Sequence, residues 1–147
     1  MRRSKGKQMV IEWPELGARI KGDFLNELNP ELCAAVQANL PIETIQSHGV
    51  IGGGFLMAPT RIVHTLSPRC VEKFNEQPIG RINFSLFYLA LSLKYATITE
   101  FIEIPPIAQV LREDIDVLIK VGKQMWEHTC NLSPDKGYIR SIFRLSS

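Results

Sequence analysis

Residues 47–64 read SHGVIGGGFLMAPTRIVH: Gly52, Gly53 and Gly54 stand in an apolar run, with His48 upstream and Arg61 and His64 downstream. A backbone cradle for phosphate needs its glycines to lead from a strand into a helix N-terminus, so that N–H groups converge on the anion. Here Phe55, Leu56, Met57 and then Pro59 follow, and nothing in them starts a helix. Neither a GxGxxG fingerprint nor a P-loop lysine is present. The run reads instead as a corner between strands, where glycine permits positive φ and lets a ligand or a second backbone come close. An imidazole facing a pocket at such a corner can move a proton near neutral pH; the alternative is a histidine held by structural hydrogen bonds. His64 and His128 read as structural or surface residues. The three histidines lack HExxH or i,i+4 pairing, which predicts no metal site.

A second patch is LKYATITEFIE, residues 93–103, where Lys94, Thr97, Thr99 and Glu100 close a very apolar strand. Polar groups at a strand end can line the mouth of a site, and Glu100 near Lys94 would make a mutually tuned pair. A surface turn with an ordinary ion pair is the plain alternative. No Ser-His-Asp order, nucleophile elbow or kinase signature occurs.

The elements that must position these residues follow from periodicity and punctuation. QMVIEW and ARIKGDFL predict two strands joined by PELG, the second with Ala18, Ile20, Gly22 and Phe24 on one face. NPELCAAVQANLP predicts a helix: Asn29 as cap, Pro30 in the first turn, Glu31 at the positive end of the dipole, and Pro41 as stop. IETIQSHGVIGGGFLMAP is extended, RIVHTL predicts another short strand, and SPRCVEKFNEQ fits a loop or one helical turn. IGRINFSLFYLALSLKYATITEFI predicts two strands meeting near Leu86–Leu89, with a buried helix as the competing reading. After Pro105–Pro106 the apolar residues from Ile107 through Val110, Leu111, Ile115, Leu118, Val121 and Met125 to Trp126 recur three and four apart. That predicts an amphipathic helix of about 20 residues. YIRSIFRL at the end suits a helical face or a strand.

The chain has 147 residues, enough for one domain with a sizeable core. Its net charge of +2 does not point to nucleic acid. The basic opening MRRSKGK precedes no apolar stretch of signal-peptide type and is expected to be a disordered lead-in. The longest apolar run, INFSLFYLALSL, stops at about twelve residues, short of a membrane span. Cys33, Cys70 and Cys130 are odd in number and lack CxxC spacing, as expected of reduced thiols in a cytoplasmic protein.

The order of patches resembles the compact bacterial cyclophilin-like proteins: the first hairpin, NPELCAAVQANLP, ETIQSHGVIGGGFLM, then GRINFSLFYLALSLKYATITE. The run KYATITEFIEIPPIAQVLREDIDVLIKVGKQMWE is similar to the C-terminal helical segment of cucumopine synthase and its relatives. The resemblance covers residues 8–130 and implies a mainly β, cyclophilin-like closed barrel with one packed helix and a C-terminal helical extension. Its implied parts are a lead-in (1–7), a barrel (8–104) and a helical segment (105–147). The Phe-His-Arg stretch of classical prolyl isomerases is absent, which leaves a prolyl isomerase-like protein as the last of the alternatives.

Cucumopine synthase joins histidine and 2-oxoglutarate: the amine forms an imine with the ketone, and the imidazole carbon closes a ring onto it without a redox cofactor. The resemblance therefore implies an opine-type imine cyclase, with a non-catalytic metabolite-binding protein on the same barrel as the alternative. On that reading His48 and Glu100 supply proton transfer, Lys94 or Arg61 meets a carboxylate, and Gly52, Gly53, Gly54 and Thr99 complete the substrate site. The expected partner is a small carboxylate- or amine-bearing ligand, with no cofactor, nucleic acid or membrane. The sequence departs from the family in carrying Phe55–Leu56 after the corner and Ala96 where glycine is common. The wide apolar stripe ending at Trp126 further predicts a homo-oligomer.

Overall fold

The computed structural model describes residues 6–85 and 89–146. Its strands are β1 (Gln8–Trp13), β2 (Ala18–Phe24), β3 (Ile42–Ile45), β4 (Ser47–His48), β5 (Gly53–Pro59), β6 (Glu72–Lys73), β7 (Arg81–Ser85), β8 (Ala90–Ile98), β9 (Glu103–Ile104), β10 (Pro106–Val110) and β11 (Arg140–Leu145). The helices are α1 (Pro30–Ala38) and α2 (Ile115–Cys130). Nine strands form one sheet in the order β3-β11-β1-β2-β10-β7-β8-β5-β4, every pairing antiparallel, while β6 and β9 pair separately.

The two ends of that order, β3 and β4, are neighbours in sequence with only Gln46 between them. Gln46 bends the chain and ties the seam. Its N–H donates to Ile139 O (2.8 Å), its side-chain amide to Met57 O (3.0 Å), and its Oε1 accepts from Trp13 Nε1 (2.8 Å). The result is a mainly β, nearly closed barrel, which leaves little sheet edge exposed.

One face of the strands feeds a single core that includes Met9, Ile11, Trp13, Ile20, Leu56, Phe84, Leu91, Leu93 and Phe143. Leu118, Val121 and Met125 of α2 and Leu32, Cys33 and Val36 of α1 pack into it. Leu118, Val121 and Met125 of the stripe that raised the expectation of self-association are thus covered within the chain, while Trp126 at its end stays 44% exposed. The opposite face of β5 and β8 carries a second cluster: Phe55, Phe74, Ile98 and Ile104, with Met57 against them.

Several elements differ from expectation. Residues 106–110 are a strand, not the start of the long helix, which begins at Ile115. Pro106, Ile107 and Ala108 are all buried, because β10 lies between β2 and β7 with both faces covered; such a run mimics helical spacing. Residues 105–147 are therefore not a separate helical segment, since β10 and β11 belong to the barrel sheet. RIVHTL has no regular structure, and YIRSIFRL contributes β11. Asn29 stands at the N-cap position of α1, but its side chain makes no cap hydrogen bond. Its buried side chain donates to Cys70 O and Pro106 O (both 2.9 Å) and accepts from the amides of Arg69 and Cys70, fastening a loop to β10. Residues 1–5 of the expected lead-in (1–7) and residues 86–88 of the expected strand junction (86–89) lie outside the described residues. Among the described residues, no helix is long and apolar enough to cross a membrane.

Candidate functional site

On the face of β5 and β8 turned away from the main core lies a cavity of about 440 Å3. Its walls are Phe55 and Met57 of β5, Phe74, Ile104, and the loop Gly49–Ile51 between β4 and β5; Ser85 and Ser92 add hydroxyls, and Glu100 with Ile102 completes it. Alternation along β8 explains this. Leu91, Leu93 and Tyr95 enter the main core, so Ser92 and Lys94 face the other way. Phe55 and Phe74 meet edge to face, centroids 5.2 Å apart. Val50 and Ile51, which line the cavity, are 73% and 75% exposed, so the rim is apolar too.

Glu100 is the single ionisable residue lining this cavity among the described residues. Its carboxyl group leans on the glycine corner: a Cβ built at Gly52 would lie 2.8 Å from its carboxyl carbon and its Oε1. Gly52 has φ +96° and Gly53 φ +119°, conformations that favour glycine. The Gly52 carbonyl accepts the Thr99 N–H (2.8 Å) and hydroxyl (3.3 Å), which fixes the backbone just before Glu100. The run is therefore a turn at Gly52 leading into β5, as the sequence predicts; Gly52 makes room for the carboxylate, while Gly53 and Gly54 make room for the Thr97–Ile98 backbone and Ala96 of β8.

The wall at Phe74 is held by a polar latch. Lys94, buried, donates to Phe74 O (2.8 Å), Asn75 O (3.3 Å) and Gln77 O (2.7 Å). Burial lowers its pKa. Gln77 and Asn83 exchange two side-chain hydrogen bonds, 2.8 and 2.9 Å. Glu72 receives two bonds from Arg81 (2.9 and 3.1 Å) and one from Gln77 (2.9 Å). Burial alone would raise the Glu72 pKa; the hydrogen bonds from Arg81 and Gln77, with the Arg81 charge, outweigh it and hold the carboxyl below its usual range.

His48 is buried on the other side of the Gly49–Gly52 loop. Nδ1 contacts the Gly49 carbonyl at 2.6 Å and Nε2 the Tyr95 hydroxyl at 2.5 Å. A carbonyl only accepts, so Nδ1 carries the proton and Nε2 accepts from Tyr95. The Trp126 ring covers the imidazole, centroids 5.0 Å apart. Burial lowers the His48 pKa, with the Gly49 carbonyl opposing it, so the ring is neutral at pH 7. Burial raises the Tyr95 pKa. A smaller cavity of about 310 Å3 lies here, sharing only Gly49 and Val50 with the larger one.

The structure thus brings Glu100, Thr99 and Gly52 together, and places His48 behind the same loop in a separate cavity that Gly53 and Gly54 also line. Lys94 forms no pair with Glu100; its protons are spent on carbonyls. Arg61 lies in an open depression of about 560 Å3 formed by residues 39, 41–45 and 59–62. The sequence reading missed Phe74, Met57, Ser85 and Ser92 as lining residues. The available signal was the pair of serines in a very apolar hairpin, which marks a face with space beside it. No group of His, Cys, Asp and Glu among the described residues is arranged to hold a metal. Cys33, Cys70 and Cys130 are free thiols, and burial pushes that of Cys33 up to about 11.

No protein-family model matches the chain, and no curated protein does. Among solved structures it is similar to McbB, solved in complex with tryptophan, with TM-score 0.83 and 28% identity over 93% of this chain. It spans 44% of the McbB chain, less than half of that protein's length. It also shares its fold with the hypothetical protein AF2241 from Archaeoglobus fulgidus, at TM-score 0.61 and 12% identity, over 97% of each chain. The barrel is therefore a fold shared with a tryptophan-bound protein and with a second, more distant one.

Proposed function

We propose that the 440 Å3 cavity binds an aromatic primary amine of the tryptophan or histidine type, and that the protein closes a ring on the imine this amine forms with a 2-oxo acid. The observation that carries the reading is the Glu100 carboxylate standing over Gly52 on an apolar cavity with two aromatic walls. The volume suits a small aromatic molecule, since ligand pockets run from about 300 to 1,000 Å3. The likeness to McbB, which was solved with tryptophan, supports an aromatic amine as the occupant.

The chemistry balances without an outside oxidant. Amine and ketone lose one water to give an imine, which a proton converts to an electrophilic iminium. A ring carbon attacks it, a carbon–carbon bond forms, and the ring carbon's proton leaves. Glu100 first pairs with the ammonium and then takes the ring proton. Phe55 and Phe74 hold the aromatic ring and exclude water around the carboxylate. His48, with both nitrogens engaged, acts as a positioning residue for the Gly49 end of the loop.

The test mixes the protein with tryptophan, histidine or their amines and a 2-oxo acid, and follows the cyclised mass above the spontaneous rate. Glu100→Gln is expected to lower the rate by about 10²-fold or more, with the fold intact by circular dichroism. An unchanged rate in that variant removes Glu100 as the base. Binding without turnover favours the second reading, a non-catalytic metabolite-binding barrel, which one ionisable lining residue also fits.

A further inference from the structure

We infer that the cavity selects an aromatic amine whose ring carries a hydroxyl on the edge away from the amine, and that Ser92 is the residue that recognises it. This rests on the reading of the cavity as an amine site and narrows the class of amine.

Strand register sets Ser92 at the far end from Glu100. Along β5 the cavity wall runs from the corner at Gly52, where the Glu100 carboxyl group stands, past Phe55 to Met57. Met57 pairs with Ser92 of β8. About 13 Å of strand separates Gly53 from Met57. An ammonium held at Glu100 therefore sends its ring along Phe55 and Phe74 toward Ser92, and the far edge of the ring meets the serine. The carboxylates of the reactants fall at the opposite, exposed rim, where the N–H groups of Val50, Ile51 and Gly52 make no backbone hydrogen bond among the described residues.

Ser92 is 2% exposed, lines the cavity, and its hydroxyl has no hydrogen-bond partner among the described residues. Its polar neighbours on that face are committed elsewhere. Asn83, directly opposite on β7, exchanges two bonds with Gln77, and Lys94, two residues along β8, is tied to three carbonyls. Met57 offers at most a weak sulfur acceptor. Ser85, diagonally across on β7, adds a second hydroxyl to the same cavity. A buried hydroxyl is costly to leave unpaired, and an occupant of the cavity is what can pair it. A ring hydroxyl both donates and accepts, so it suits a serine in either sense. An unsubstituted ring presents only C–H there and leaves the serine unpaired, a difference that a buried polar site turns into selectivity.

The experiment measures binding by calorimetry at pH 7 for tryptophan, 5-methyltryptophan, 5-hydroxytryptophan and 6-hydroxytryptophan, which share their amine and carboxylate. A methyl group and a hydroxyl are close in size, so the methyl compound separates space filling from hydrogen bonding. At least one hydroxy compound is expected to bind at least about tenfold tighter than tryptophan and 5-methyltryptophan, and that preference is expected to vanish in Ser92→Ala. Without ligand, Ser92→Ala is expected to keep or raise the thermal midpoint, since the hydroxyl it removes is unpaired. A clearly lowered midpoint would mean that the hydroxyl is already paired within the fold, and overturns the inference. Hydroxy compounds that bind no tighter than the methyl compound, or a preference that survives Ser92→Ala, also overturn it and leave the amine site standing. If none of the four binds, the amine site itself fails, and this inference with it.

Discussion

His48 is the residue whose chemistry is most altered by its surroundings. Its ring sits between Tyr95 and Trp126 with both nitrogens engaged, and burial lowers its pKa from the ordinary 6.5. The unfolded chain titrates near the ordinary value, so across the window just below 6.5 the unfolded state binds the extra proton. Stability from this group is therefore present above that value and lost as pH falls through the lower native one. Urea unfolding from pH 7 to 5 is expected to show a steeper loss in the natural protein than in His48→Gln. Parallel curves would remove the imidazole as the cause. The placement of His48 beside a glycine corner and of Glu100 just past a strand end was legible in the sequence, because each adjoins a local signal; that the two stand in separate cavities was not. Lys94 was not. A lysine closing an apolar strand resembles a mouth residue, and only the return of residues 74–77 over β8 shows that it serves carbonyls instead.

Elements were legible where local chemistry decides them. The alternation of β2, the turn at Pro14–Gly17 and the proline-led start of α1 each depend on neighbours in sequence. The strand β10 depends on β2 and β7, which lie far along the chain, so its spacing misled. The seat of α2 makes the same point energetically. A Cβ on Gly122 would come 2.4 Å from the Tyr95 ring, the same ring whose hydroxyl holds His48. In an isolated helix Gly→Ala stabilises by about 1 kcal/mol. Here the ring or the helix must shift, at about 1–3 kcal/mol, so the net sign reverses. Gly122→Ala is expected to lower the urea midpoint, and a raised midpoint would show that α2 does not sit on Tyr95.

At the scale of the molecule, two late strands decide whether anything closes. The strand β10 is the ladder between β2 and β7, and β11 the ladder between β1 and β3. Removing residues 105–147 leaves the hairpin β1–β2, the four strands β7-β8-β5-β4, and β3 without a partner strand, with no ladder joining these pieces. The same removal takes away Leu118, Val121 and Met125 from the core and uncovers Tyr95, on which Gly122 of α2 sits. The two-stranded piece is marginal in water by itself, and the four-stranded piece would expose an apolar face. The fragment 8–104, which the resemblance presents as a complete barrel, is therefore expected to give poorly dispersed amide signals and no cooperative thermal transition. Supplying residues 105–147 as a second chain should restore both, because the missing ladders and the helix arrive together. A dispersed spectrum and a sharp transition from the fragment alone would mean that the barrel closes without β10 and β11, and that the carboxylate over the glycine corner does not depend on the last third of the chain.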